Sequence, residues 1–200
     1  MEIIVCIAAH PDDIELVMGG TISKFISQNK IIHCIVCFPM NDERKKESIV
    51  ALEHLGVDSK NMYYIENHSN SRQLVEKLDK LIALINPDTI FTHFHGDTHQ
   101  DHNMVNQCVL SCARENKKNV LLWENTIPGG IGHIKFTPDL FILLGNDDID
   151  KKVESFQLHR SQFIKYKGIS EFIRNKAKYW GYYIKEANCE VFQVVKLIIS

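Results

Sequence analysis

No apolar run in these 200 residues approaches the roughly 18 that a membrane-crossing helix needs, so no transmembrane segment is expected. Neither sign of charge is in excess. Lys and Arg number 23 against 25 Asp and Glu, a formal net charge of -2. That excludes a protein living on phosphate attraction, and no nucleic-acid partner is expected. The short clusters Arg44-Lys45-Lys46 and Lys117-Lys118 read as solvated faces. No leader is expected either: Met1 runs straight into a strand pattern without a basic segment or a small-residue cleavage site, which predicts a soluble, cytoplasmic protein. Internal repeats and low-complexity segments are absent. No cysteine lies in a loop pattern; Cys6, Cys34, Cys37, Cys108, Cys112 and Cys189 fall inside apolar strand or helix patterns and read as reduced core residues. Cys34-x-x-Cys37 lies within the strand pattern Ile31 to Phe38, where a spacing of three points the thiols to opposite faces, so the redox reading is set aside.

What is present suits one domain spanning 1–200: 44% of the residues are hydrophobic, enough to bury a sizeable core. Strand and helix patterns alternate. Strands are expected at Ile3 to Ala8, Ile31 to Phe38, Met62 to Ile65, Thr89 to Phe91 and Val120 to Trp123. Helices are expected between them, at Glu15 to Gln28, Glu43 to Leu55, Ser71 to Ile85 and Asp101 to Glu115. Further on come a glycine-rich loop at Pro128 to Gly132, a strand Leu140 to Leu144, helices near Ile149 to Phe163 and Ile169 to Lys185, and a strand Cys189 to Ile198. The alternation predicts an α/β, Rossmann-like fold. Its mostly parallel sheet is flanked by helices, in the order 3-2-1-4-5 with C-terminal additions. In that order the crevice opens between strands 1 and 4 at their carboxyl ends.

Both of those strand exits carry ligand chemistry. After the first strand the chain reads Ala9-His10-Pro11-Asp12-Asp13-Ile14-Glu15. Pro11 biases His10 toward extended geometry and ends the strand. Two adjacent carboxylates cannot point the same way, so if one binds a metal the other is left beside it, free to move protons. The competing reading is an Asx-type turn capping the helix. After the fourth strand the chain reads His93-Phe94-His95-Gly96-Asp97-Thr98-His99-Gln100-Asp101-His102. Helical spacing places His102, Val105, Val109 and Cys112 on one face, with Asn103, Asn106 and Arg114 largely off it. Convergence of the two exits on one ion favours a shared site over two unrelated turns.

Ala9-His10-Pro11-Asp12-Asp13-x-Glu15 and His99-x-Asp101-His102 resemble the two signatures of the zinc-dependent LmbE-like (PIG-L-like) de-N-acetylases. Weaker likenesses extend over most of the chain: Arg44-x-x-Glu47 before Leu55-Gly56-Val57, His159-x-Ser161-Gln162, Tyr179-Trp180-Gly181 and Glu190-x-Phe192. The sequence departs where Val17 stands in place of a glycine common among relatives, and where the loop after the second strand lacks an acidic-glycine turn. These departures bear on substrate identity rather than on chemistry.

Catalytic zinc keeps three protein ligands and one open position. His10, Asp13 and His102 are the three expected, with Fe²⁺ or Co²⁺ as substitutes for Zn²⁺. The resemblance supports that set and implies Asp12 as the base that takes a proton from water and passes it to the departing amine. His99, three residues before His102, is expected on the same side, stabilising the oxyanion when protonated. Asp101 is expected to hold an imidazole by its other ring nitrogen, with helix N-capping as its alternative role. Arg44 and His133 are candidate substrate contacts. Arg44 is equally open to a reading as helix-surface charge. His93 and His95 are placed on one face of an extended segment as lining or packing residues, and His33, His54, His68 and His159 as surface, packing or hydrogen-bonding residues.

The residues themselves imply metal-assisted hydrolysis. The resemblance implies removal of an N-acetyl group from an amino sugar or sugar conjugate, releasing acetate and a free amine. A zinc amidase acting on a non-sugar amide is the nearest alternative. A catalytically inactive Rossmann-type sugar- or nucleotide-binding module is the other, disfavoured because no G-x-G-x-x-G follows the first strand and Gly19-Gly20 lies inside a helix pattern. The partner expected is a small N-acetylated sugar, and self-association into a homo-oligomer is compatible with the sequence.

Overall fold

Six residues rich in β-branched side chains, Ile3–Ala8, form β1. β1 is parallel to β2 (Ile31–Val36) on one side and to β4 (Thr89–His93) on the other. The computed structural model describes residues 2–66, 70–115, 117–124 and 134–198. Beyond β2 lies β3 (Met62–Tyr64) and beyond β4 lies β5 (Asn119–Trp123), both parallel to their neighbours. This is the expected 3-2-1-4-5 order. The additions are two antiparallel pairings: β7 (Cys189–Lys196) runs against β5, and β6 (Leu140–Leu143) against β7, giving β3-β2-β1-β4-β5-β7-β6. Burial accounts for the last strand entering before β6. Cys189 to Phe192 are buried and need cover on both sides, whereas β6 is half-buried and suits an edge.

Helices cover both faces: α1 (Asp13–Ser27), α2 (Asp42–His54), α3 (Ser71–Ile85), α4 (Gln100–Ala113), α5 (Asn146–Gln157), α6 (Arg160–Phe163) and α7 (Ile169–Tyr183). Alternation along β1 divides the core in two. Ile4, Cys6 and Ala8 pack with Ile14, Met18, Ile22 and Leu52, while Val5 and Ile7 pack with Leu74, Leu78, Val105 and Val109. Cys34 belongs to the first cluster and Cys37 to the second, both buried and neither in a disulfide, so the two thiols lie on opposite faces of the sheet. Among the described residues no helix is long and apolar enough to cross a membrane.

Three local features depart from the expectation. The helix placed at Ile149 to Phe163 is two, because the chain leaves helical geometry around His159 and restarts as α6. Asn106, placed off the inner face of α4, is buried because its Nδ2 donates to the His93 carbonyl at 2.6 Å. α1 breaks at Met18 (φ -134°, ψ 20°), and a buried ion pair bridges the break. Glu190 accepts the freed Gly20 and Thr21 N–H groups at 3.2 and 2.7 Å, while Lys152, paired with Glu190, donates to the Val17 carbonyl at 3.2 Å.

Gly20 permits this approach, since a Cβ there would stand 2.7 Å from Leu144 Cδ1 and 3.2 Å from Glu190 Oε1. Gly181 is tighter: a Cβ would meet Ala187 backbone at 2.7 Å and the Asn188 nitrogen at 2.8 Å. Backbone cannot swing aside as a side-chain tip can. Gly181→Ala is therefore expected to destabilise by about 1–3 kcal/mol of overpacking, despite the gain of up to about 1 kcal/mol in helix propensity. Thermal unfolding checks this, and an unchanged or raised Tm would show that the α7–β7 turn relaxes freely.

Candidate metal centre

The loops leaving β1 and β4 lie side by side because their strands do. The first bends through Asp12, whose φ of 102° is unusual for a residue with a Cβ. Asp12 is the N-cap of α1, yet its side chain makes no capping hydrogen bond, so the simple cap reading does not describe it. Its Oδ2 is 2.9 Å from the Arg44 guanidinium, which also donates to the Pro11 carbonyl. Asp13 turns the other way, and its Oδ2 accepts the His10 N–H at 2.8 Å.

Around that oxygen stand three ring nitrogens: His102 Nε2 and His93 Nε2 at 3.5 Å and His10 Nδ1 at 3.6 Å. Donor atoms sharing a tetrahedral ion with bonds of about 2.0–2.1 Å lie about 3.3–3.4 Å apart, so the spacing fits a divalent ion. Among the described residues two overlapping groups hold donor atoms within 4.8 Å of one another: His10, His99 and His102, and Asp13, His93 and His102. His93 is buried with an N–H donor facing each ring nitrogen, Ala9 N at 2.9 Å and Trp123 Nε1 at 3.1 Å. A neutral imidazole has a single lone pair, and these donors compete for it, leaving none for an ion. Burial lowers the His93 pKa to about 4 and keeps it neutral.

The outer nitrogens of the other two imidazoles meet carboxylates. His102 Nδ1 is 2.7 Å from Asp97 Oδ2 and His10 Nε2 is 3.0 Å from Asp101 Oδ2. Because a carboxylate only accepts, each contact places the ring proton outward and aims the lone pair inward. Burial alone would lower the His10 pKa, but hydrogen bonds and charge from Asp13 and Asp101 raise it to about 9, so an ion taking Nδ1 would displace a proton from that nitrogen. Burial works against Asp13 as well, and the surrounding imidazoles hold its carboxyl well below the usual range. Asp12 behaves differently: burial and the charge of Asp13 push it up to about 7, with Arg44 pulling the other way.

His99 is the N-cap of α4, and its ring stacks on His102 at 4.5 Å. Its Nδ1 accepts the Asp101 N–H at 3.2 Å, so the neutral ring carries its proton on Nε2. Burial, then the His102 and His10 rings, lower its pKa; the protonated form expected from the sequence is disfavoured, and a neutral Nε2–H donor takes its place. Arg44 is not a surface charge, since its side chain is 14% exposed and bound to Asp12. His95 is exposed while His93 is buried, because the strand and its alternation end at His93. Among the remaining histidines, His159 is fully buried against Glu15, His54 meets Glu154 and His33 stacks on Tyr63. His133, His68 and the Pro128 to Gly132 loop lie outside the described residues. Asp97 is the partner that sequence reasoning missed; a carboxylate five residues before a ligand-type histidine, just outside the helix, was the available signal.

These side chains open into a cavity of about 150 Å³ lined by His10, Asp12, Asp13, Arg44, His99 and His102, with further residues from α1, α5 and the α6 region. Known proteins share the fold. The deacetylase YaiS of Escherichia coli K12, itself described as uncharacterized, is 25% identical over 178 residues, covering 79% of this chain and 90% of that protein. The N,N'-diacetylchitobiose deacetylase of Pyrococcus horikoshii superposes with a TM-score of 0.77 at 20% identity, covering 97% of this chain and 84% of that one. GalB, the 4-carboxy-2-hydroxymuconate hydratase of Pseudomonas putida KT2440, superposes with a TM-score of 0.84 at 17% identity, covering 100% and 98%. A deacetylase and a hydratase on one architecture show that the sheet does not choose the chemistry. The sequence model for GlcNAc-PI de-N-acetylase (PIG-L) matches residues 5–113, which include both strand exits, and with more than half of its length matched the chain belongs to that family.

Proposed function

We propose that this chain is a metal-dependent deacetylase that hydrolyses the N-acetyl group of an amino sugar or sugar conjugate. The observation that carries the reading is the division of labour between neighbouring carboxylates. Asp13 is ringed by imidazoles at ligand spacing, while Asp12 stands beside them in the same cavity and turns to Arg44 instead. His10 Nδ1, Asp13 and His102 Nε2 would hold the ion, and zinc suits such a mixed nitrogen and oxygen set. The bound ion supplies a Lewis acid that polarises the amide carbonyl and acidifies the attacking water.

The chain's own groups do the rest. Asp97 and Asp101 fix the orientation of His102 and His10. Asp12 accepts a proton from the attacking water as oxygen bonds to the acetyl carbon. His99 Nε2–H donates a hydrogen bond to the carbonyl oxygen as negative charge gathers there. Asp12 then returns its proton to the nitrogen as the C–N bond breaks, and acetate and the amine leave. The substrate class rests on the family and its named members. A screen of N-acetylated sugars, free, glycosidic and nucleotide-linked, tests it by acetate release; cleavage of non-sugar amides alone would move the protein to the zinc amidases.

Arg44 supplies a pH signature. A base works only when deprotonated, so turnover falls as pH drops through the Asp12 pKa. The Arg44 guanidinium lowers that pKa. Arg44→Ala is therefore expected to shift the acid limb of kcat/KM to higher pH, by about one unit or more. An unmoved acid limb would assign it to another group.

A further inference from the structure

Between α5 and α6 the chain is clamped from two helices that also build the metal centre. His159 Nε2 meets Glu15 Oε1 at 2.9 Å, next to the ligand loop on α1. Glu47 on α2 accepts both the Ser161 N–H at 2.8 Å and the Ser161 Oγ–H at 2.6 Å. Glu47 is three residues after Arg44, so one face of α2 grips Asp12 with the first and the start of α6 with the second. A short helix of four residues has little stability of its own. Two buried or half-buried carboxylates holding it in place call for an explanation in what α6 presents.

It presents Gln162. This residue is 6% exposed and lines the cavity shared by His10, Asp12, Asp13, His99 and His102. Its Nε2 donates to Ser161 Oγ at 3.0 Å and its Oε1 accepts from Lys165 Nζ at 3.2 Å. A carboxamide has two N–H donors and two lone pairs, so one of each remains, adjacent and already oriented. Leu16, Phe156 and Tyr166 give the same cavity an apolar side. An apolar wall beside a fixed donor–acceptor pair matches a pyranose, which has a C–H face and an edge of neighbouring hydroxyls.

We propose that Gln162, held by the Glu47–Ser161 clamp, is a specificity-determining residue that hydrogen-bonds a ring hydroxyl of the sugar carrying the scissile acetamide. This rests on the deacetylase reading above. Because the carboxamide is already ordered, the contact is made without further loss of side-chain freedom. It contributes to holding the ring rather than to the chemical step, so its loss raises KM and leaves kcat largely unchanged.

The test compares wild type with Gln162→Ala on an N-acetylglucosamine glycoside and its 3-, 4- and 6-deoxy analogues, following acetate release and metal content. Wild type is expected to lose about three- to tenfold in kcat/KM on the analogue lacking the contacted hydroxyl, the worth of one neutral hydrogen bond. In Gln162→Ala that penalty disappears, because the partner is already gone, and the ion is retained. Gln162→Met, nearly isosteric and without a carboxamide, gives the same result and serves if the alanine variant folds poorly. A deoxy penalty that persists undiminished in these variants overturns the Gln162 assignment and leaves the deacetylase reading standing. No acetate release by wild type from any N-acetyl sugar overturns both.

Discussion

Asp12→Asn is expected to keep the fold and the ion and to lose turnover by about 10²–10⁴-fold, the usual worth of general acid–base catalysis. The amide matches the carboxylate in size but cannot take a proton from water. Two features make the effect large. Burial and the adjacent Asp13 push the Asp12 carboxyl above the usual carboxylate range, which strengthens it as a base. Asp12 also makes no capping hydrogen bond from its side chain, so its replacement costs no cap. Residual activity equal to wild type would move the proton transfer to His99.

The second large effect belongs to the ligands. Asp13→Ala and His102→Ala should each abolish stoichiometric metal binding and, with it, activity. Asp13 Oδ2 lies at the meeting point of the ring nitrogens, and His102 Nε2 is aimed there by Asp97. Asp97→Ala should act more mildly, weakening metal affinity by about 10–100-fold because it orients a ligand without being one. Chelator competition measures all three. Equal loss in Asp97→Ala and His102→Ala would mean that Asp97 itself binds the ion.

The local patterns that could be read in advance share a cause. β1 and β4 are short apolar runs ending in ligand-type residues, and parallel order places their exits together. Cys34 and Cys37 divided between faces follows from a period of two. What escaped depended on specific side-chain contacts, several of them far apart in sequence. The break before α6 is stabilised by Glu15 and Glu47 across more than a hundred residues, which no periodicity carries. Asn106 is buried for one hydrogen bond to the His93 carbonyl, against its helical-face assignment. His93, placed in advance as a lining or packing residue, is buried as such, while the Ala9 and Trp123 donors that face its nitrogens come from segments far off in sequence.

Metal content and acetate release, measured on the same preparations of wild type, Asp12→Asn and Asp13→Asn, test the central claim most directly. Wild type should bind a stoichiometric divalent ion and lose acetate release on stripping, regaining it when the ion is returned. Asp12→Asn should hold the ion and release no acetate above about a hundredth of the wild-type rate, while Asp13→Asn should hold the ion weakly and lose activity for that reason. An Asp12→Asn protein without the ion, beside an Asp13→Asn protein that keeps it and turns over, would contradict the assignment of ligand and base.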